Sequence, residues 1–237
     1  MPADRQPYPT AAAFMPPHIS LPALREAAGG CQGCPLYQTG TQTVFGEGPK
    51  SARLMFIGEQ PGDQEDKAGR PFVGPSGKLL DQVLDEVGID RGDVYVTNAV
   101  KHFKWEPRGK RRIHSKPSSR EIGACKPWPE AELKVVRPQV IVCLGATAAH
   151  ALLGSAFRLT RHRGEFQQTP HAPALLATVH PSAILRMPDP AARDNARRQF
   201  ADDLGLVAQR LAQEQARAQR KAGAREQADE HRPPAHL

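Results

Sequence analysis

The 237-residue sequence predicts a three-layer α/β/α fold around a central, mostly parallel four-stranded sheet. Three observations carry this reading. Four apolar runs of strand length recur: "RLMFIGE" (53–59), "VYVTNAV" (94–100), "VIVCLGA" (140–146) and "ALLATVH" (174–180). Stretches with helical periodicity separate them, so successive strands are joined by crossovers and lie parallel. Each run ends in small or polar residues suited to a turn.

Taken in order, residues 1–18, "MPADRQPYPTAAAFMPPH", are rich in Pro and Ala and read as a flexible arm. A short helix follows from Pro22 to Ala28, closed by Gly29-Gly30, and then a loop carrying "CQGCP". In "SGKLLDQVLDEVG" apolar residues fall at 79, 80, 83, 84 and 87 and stop at Gly88, which predicts a helix. "SSREIGACKPWPEAELKVVRP" predicts two short helices broken near Pro127 and Pro129, and "ATAAHALLG" a compact one closed by Gly154. A long helix after Pro190 should dock Phe200, Leu204, Val207 and Leu211 on the core. Beyond Gln213 large apolar residues disappear and charges alternate in sign, so 213–237 reads as a frayed helix and a solvated tail. One domain over 19–212 remains, with no internal repeat.

The hydrophobic fraction is 39%, slightly low for a globular chain, and the shortfall sits at the ends. A formal charge of +7 favours an anionic partner, of which nucleic acid is the commonest, but charge alone does not decide it. The first eighteen residues lack the continuous apolar stretch of a secretory signal, and no run approaches a membrane span. The expectation is a cytoplasmic or nucleoid-associated monomer with no membrane partner.

Ligands of open α/β sheets bind beyond the carboxyl ends of the strands. Strand one ends in "GEQPGDQED", which puts Glu59 and Gln60 at that mouth before a Pro61-Gly62 turn. The second contributes Asn98 and the fourth His180, from "VHPSAILR". Each alone is a plausible turn cap; a carboxylate, a carboxamide and an imidazole at one end of one sheet point to a site. "AGRPFVGPSGK" fails as a phosphate loop: Lys78 is followed by Leu79, and Phe72 stands where the leading glycine belongs. Phe72 instead offers a flat face for stacking on a base.

Between Lys101 and Lys116 the chain has seven Lys or Arg and one Glu, with Phe103 and Trp105 interleaved. Cations for phosphates plus aromatics for bases is a nucleic-acid pattern. Within it, "RGKRRIHSKP" sets His114 among five cations. A loop that only grips phosphate gains little from a residue whose ordinary pKa lies just below neutrality, so His114 is either incidental or delivered to a reaction.

Four cysteines occur. Cys31 and Cys34 have a spacing that lets both thiolates face one centre; Cys125 and Cys143 form a wider pair. Cys143 lies in a run that reads as a buried strand, where a free cysteine is common. Spacing alone allows a four-cysteine iron–sulfur cluster, a structural zinc, or no metal.

In combination, "GEQPG", "TNAVK", "HPSAILR" and the four cysteines resemble the iron–sulfur uracil-DNA glycosylases of family 4 over residues 21–210. The "KRRIH" insertion and Gln60 are similar to the UdgX branch. The resemblance implies a [4Fe-4S] cluster on Cys31, Cys34, Cys125 and Cys143. It implies a uracil pocket with Phe72 stacked on the base, Asn98 reading its edge, Gln60 orienting it through its backbone amide, and His180 donating to the departing uracil. Lys101, Lys110, Arg111, Arg112 and Arg186 would bind DNA, single-stranded by preference because extruding a base there costs less. His114 would capture the abasic sugar covalently, with Glu59 as proton acceptor or cation stabiliser, and Asp63 and Asp66 would order the loop. A conventional glycosylase with turnover, and a nucleic-acid-binding iron–sulfur protein without chemistry, are the alternatives.

Overall fold

A computed structural model of the chain describes residues 8–230. Its elements are α1 (Leu21–Gly29), β1 (Leu54–Gly58), α2 (Asp63–Ala68), α3 (Pro75–Glu86), β2 (Val94–Asn98), β3 (Trp105–Arg108), β4 (Arg111–His114), α4 (Ser119–Cys125), α5 (Pro127–Val136), β5 (Val140–Leu144), α6 (Ala146–Leu153), α7 (Leu159–His162), β6 (Phe166–Thr169), β7 (Ala172–Thr178), α8 (Pro181–Leu185) and α9 (Pro190–Glu230). The main sheet has the order β2-β1-β5-β7-β6, parallel except for the β6–β7 pair. It therefore has five strands, not the four expected. The missed strand, "FQQT", is a short, polar edge strand that alternates between exposed and half-buried positions. It lacks the apolar run that marks the other four.

Period-two alternation sorts the strands into two cores. Leu54 and Phe56 of β1, Val94 and Val96 of β2, and Val140 and Val142 of β5 face α3, α8 and α9. Met55, Ile57, Tyr95, Ile141 and Cys143 face α5 and α6. Phe200, Leu204 and Val207 are fully buried and Leu211 packs beside them, as the helical spacing predicts. The helix α9 then continues to Glu230; residues 231–237 of the predicted tail lie outside the described residues. At the other end, residues 1–7 of the predicted arm lie outside them too. From Tyr8 onward the stretch is not free: Ala11 is buried, and Tyr8, Phe14 and Met15 pack on a third core built around Cys31, Cys34, Cys125 and Trp128.

The basic segment is a β-hairpin, not an irregular loop. Trp105 pairs with His114 and Arg108 with Arg111, around a two-residue turn in which Gly109 takes a positive φ of 59°. A hairpin with exposed, charged faces carries no apolar alternation, so periodicity did not reveal it.

Lys101, expected to touch DNA, is instead fully buried. Its ammonium lies 2.5 Å from Glu132, 2.5 Å from the Thr97 hydroxyl and 3.0 Å from the Asn98 carbonyl. Glu132 also accepts from Tyr95 and from the Gly46 amide. The side chain is thus committed inward. Glu132→Ala would strand a buried ammonium, and the expected loss is about 3–5 kcal/mol by urea titration. The double variant Lys101→Met/Glu132→Leu, which removes both charges, should recover most of that loss.

Candidate active site

Strand order decides where a ligand sits. The chain passes from β1 to β2 on one side and then crosses to β5 on the other, so the order reverses between β1 and β5. Loops diverge at such a point and leave a crevice at the carboxyl ends. A cavity of about 270 Å³ lies there, and its lining includes Glu59, Gln60, Phe72, Asn98, His114, His180 and Arg186. Seven residues singled out from five separate sequence motifs therefore converge on one cavity.

The floor depends on Gly58, the last residue of β1. A Cβ there would come within 2.3 Å of the Asn98 Oδ1 and 2.8 Å of the Phe72 ring. Its absence lets these two side chains meet over the strand end. Asn98 is buried, and its Oδ1 has no hydrogen-bond partner within the protein. An unsatisfied buried acceptor costs free energy unless a ligand supplies a donor. Phe72 holds a positive φ of 56°, unusual for an aromatic residue, and its ring stacks toward His180 with centroids 6.3 Å apart. Such a position turns the ring into the cavity as one flat wall.

His180 caps the N-terminus of α8. Its Nδ1 accepts the Ser182 backbone N–H at 3.1 Å and lies 2.8 Å from the Ser182 hydroxyl. With Nδ1 occupied as an acceptor, the ring proton sits on Nε2, the nitrogen left for the cavity. Burial pushes the imidazole pKa down to about 4, against the pull of Glu59. The ring is consequently a neutral hydrogen-bond donor at physiological pH.

Glu59 shows the opposite balance. Burial pushes its carboxyl up, but hydrogen bonds from His114 and Thr147 outweigh burial and hold the pKa below the ordinary carboxylate value. His114 Nε2 lies 3.2 Å from one carboxylate oxygen; the Thr147 hydroxyl donates to the other. Thr147, in the first turn of α6, was not singled out from the sequence. It sits three residues past the end of β5, so the strand-end rule could have found it.

The hairpin reaches this site because several contacts fix it. Arg112 donates from Nε to Asp63 and from Nη1 to Asp66, both at 2.6 Å, and covers the Phe103 and Trp105 rings. Asp66 is fully buried and also accepts from the Thr41 amide and hydroxyl. Gln60 pins the hairpin's base: its side chain donates to the Lys104 and Ser115 carbonyls and accepts the Lys104 amide. One expectation changes here: Arg112 is an anchor turned inward, not an outward DNA contact. The Gln60 side chain holds the hairpin, a contact the sequence reading of its backbone amide did not include. Lys110 and Arg111 are exposed at the tip, and Arg186 is exposed at the cavity rim.

The cysteines divide three to one. The Cys31 and Cys34 thiols act electrostatically on Cys125, and Cys31 on Cys34, so these three share a neighbourhood. Two already accept N–H donors: Cys31 from Trp128 Nε1 and Cys125 from the Lys101 amide, each at 3.3 Å. Such bonds stabilise thiolates and suit metal-bound sulfur. Cys143 lies elsewhere, on β5 in the core facing α5 and α6, and burial alone raises its thiol pKa. The four-cysteine set predicted from sequence is therefore not assembled. Among the described residues no group of three or more His, Cys, Asp or Glu side chains is gathered as a site for a metal ion. None of the described helices is long and apolar enough to cross a membrane.

These features describe an α/β fold with a cavity at its strand-order reversal that offers a flat aromatic wall, an unpaired amide acceptor and a neutral imidazole. Comparison with known proteins identifies the family. The model of the uracil DNA glycosylase superfamily matches residues 45–205, more than half of the chain, and the chain belongs to that family. It is 41% identical over 157 residues to a type-4 uracil-DNA glycosylase of Thermotoga maritima, covering 66% of this chain and 78% of the relative. It is 37% identical over 177 residues to that of Pyrobaculum aerophilum, covering 72% and 87%. A type-5 uracil-DNA glycosylase of Thermus thermophilus is 34% identical over 159 residues, covering 59% and 68%. The protein is accordingly a DNA glycosylase, a hydrolase whose substrate is DNA containing uracil.

Two outcomes follow from the site. Thr147→Val removes one of the two bonds that hold the Glu59 carboxylate; uracil release should slow by about ten- to a hundredfold in single-turnover assays while the melting temperature changes little. Because His180 has its pKa depressed in the fold, the unfolded chain binds more protons between about pH 6.5 and 4. Stability therefore rises with pH through that window, is complete above it, and is lost as pH falls. At pH 4.5 the loss from this residue, relative to about pH 7.5, should be about 2 kcal/mol, and His180→Asn should reduce it in urea titrations run at these two pH values.

Proposed function

We propose that this glycosylase excises uracil and then becomes covalently attached to the abasic sugar through His114, in the manner of the UdgX branch. The observation that carries the reading is the placement of His114: a pinned hairpin holds it at the cavity wall, against an ionised Glu59 and on the same cavity as Asn98, Phe72 and His180.

Each group then has a task. Uracil extruded from the strand lies against Phe72, and its N3–H satisfies the lone Asn98 Oδ1. As the glycosidic bond breaks, charge develops on the uracil oxygens, and the neutral His180 Nε2–H donates to it. The sugar becomes an oxocarbenium-like cation, stabilised by the Glu59 carboxylate. An imidazole lone pair of His114 bonds to the anomeric carbon and leaves the ring cationic; Glu59, 3.2 Å away, compensates that charge. Arg108, Lys110, Arg111 and Lys116 are exposed around the hairpin and Arg186 on the opposite rim, a surface for the phosphates on either side of the uracil. Single-stranded DNA is the preferred substrate because extrusion there is cheaper, and the enzyme acts as a cytoplasmic, nucleoid-associated monomer. A [4Fe-4S] cluster held by Cys31, Cys34 and Cys125 would tie α4 to the N-terminal segment; its role is structural, and no reaction step passes through it.

Incubation with uracil-containing single-stranded DNA, followed by a denaturing gel, should give a protein band heavier by the mass of the DNA, absent with thymine. His114→Ser should release uracil without attachment, water taking the place of the imidazole. Turnover with free abasic product in the wild type, or an adduct that survives His114→Ser, contradicts the proposal. Four phosphate contacts from Arg108, Lys110, Arg111 and Lys116 give a slope of log K against log salt of roughly −2.8 for single strands, and Lys110→Ala should reduce it by roughly 0.7.

A further inference from the structure

From Ala174 to Ala177 β7 is purely apolar, but its last residue, Thr178, brings a hydroxyl into the core. We propose that Thr178 and Asp203 form a clamp that positions His180 against the departing base. Neither lines the cavity, so both are positioning residues that act through His180. This rests on the reading that His180 donates to the uracil oxygens.

The Thr178 hydroxyl donates to the Asp203 carboxylate of α9, a charge-assisted bond inside the protein. Thr178 is fully buried and Asp203 nearly so, beside the buried Phe200 and Leu204. Apolar residues at both positions would fill this space with no carboxylate to desolvate, so the pair needs a reason beyond packing. Arg163, from the turn before β6, balances the charge: its Nε donates to the same carboxylate at 2.7 Å and its Nη1 to Gln199 at 2.8 Å. Gly164 makes room for that carboxylate, since a Cβ there would lie 2.7 Å from the Asp203 Oδ1, and its amide donates to the Ala177 carbonyl at 3.1 Å. The end of β7 is thereby held from α9 and from the β6 side. On the β5 side the Thr178 carbonyl accepts the Gly145 amide at 2.8 Å. Gly145 lines the cavity, and a Cβ there would meet the His180 Cβ at 3.3 Å. Only Val179 separates this anchored residue from His180, so a shift of Thr178 is passed on to the ring.

The strand that delivers Asn98 ends in the same way. Thr97 is fully buried, and its hydroxyl donates at 3.0 Å to Glu132 of α5, which pairs with the buried Lys101. Asn98 and His180 thus each follow a buried threonine, a helix carboxylate and a cation. One clamp lies on the α5 face of the sheet and the other on the α9 face. Hydrogen bonds fix direction where apolar packing does not, and a strand end that aims a reacting group requires direction.

The test uses the full chain. Uracil release from single-stranded DNA is timed in single-turnover assays at saturating enzyme for the wild type, Thr178→Val, Thr178→Ser, His180→Ala and the double variant Thr178→Val/His180→Ala. Affinity is read with the same strand carrying thymine in place of uracil, and melting temperatures are recorded. A misplacement of about 1 Å can cost about a hundredfold, so Thr178→Val should slow release about tenfold while affinity stays unchanged. Thr178→Ser, which keeps the hydroxyl, should match the wild type. In the His180→Ala background Thr178→Val should cost less than about twofold more, because the ring it positions is gone. Asp203→Asn weakens the same anchor and leaves Thr178 in place; it runs through the same cycle and decides the matter if Thr178→Val does not fold. A wild-type rate in these folded variants, or a tenfold loss that persists without His180, overturns the inference while leaving the role of His180 intact. Release at the wild-type rate by His180→Ala overturns the reading of His180, and this inference with it.

Discussion

The site depends on one side chain held between two carboxylates. Arg112 spans Asp63 and Asp66 at the start of α2, and through it an exposed two-stranded hairpin becomes part of the cavity wall. An isolated hairpin is marginal in water. This one has little apolar surface to bury, so polar contacts fix its position: Arg112 on the carboxylates, Gln60 on the base, and Trp105 Nε1 on the Thr39 carbonyl at 2.8 Å. Asp66 is fully buried and Arg112 mostly so, so their bond is screened far less than a surface ion pair. Without the clamp, His114 would share the freedom of the exposed tip. With it, the ring stays within bonding reach of Glu59.

The alternation of the hairpin explains how one basic run serves two ends. Successive strand residues point to opposite faces. On β4, Arg112 and His114 turn toward the body of the protein, to Asp66 and Glu59, while Arg111 and Ile113 face solvent. A shift of one residue in register would exchange the two sets, putting His114 outside and a buried carboxylate without its cation. The two-residue turn at Gly109-Lys110 sets that register.

Much of this was legible in the sequence, and the failures have physical causes. Central strands and docked helices announce themselves because burial on both faces demands continuous apolar runs, and α9 shows its contacts at Phe200, Leu204 and Val207 by spacing. Glu59, Asn98 and His180 were legible because strand ends are where such sheets expose chemistry. The edge strand β6 and the hairpin were not, since their stability comes from pairing and side-chain bonds with no apolar signature. Charge misled at Lys101 and Arg112: a sequence gives the sign of a side chain but not its direction, and both have buried carboxylate partners far away in the chain, Glu132 and Asp66. The cysteines misled in a similar way. Spacing put Cys143 at a plausible distance from Cys125, whereas the strand that carries it runs through the other core.

The two titratable groups facing each other across the cavity complete the argument. Glu59 and His180 are both substantially enclosed, yet burial leaves one charged and the other neutral. The difference lies in what each is bonded to. Two donors on Glu59 stabilise its anion more than burial penalises it; at His180 burial prevails over the pull of Glu59. Opposed environments of this kind suit one group to an anionic task and the other to a neutral donor's. Reversing them would place a cation beside the developing sugar charge and an acceptor beside the departing anion, both unfavourable. The proposed reading puts the negative group on the sugar side, next to His114, and the neutral donor beside Phe72, against which the base would lie. On that reading, cleavage separates charge along a direction the protein has already set, toward a histidine that the Arg112 clamp keeps in place.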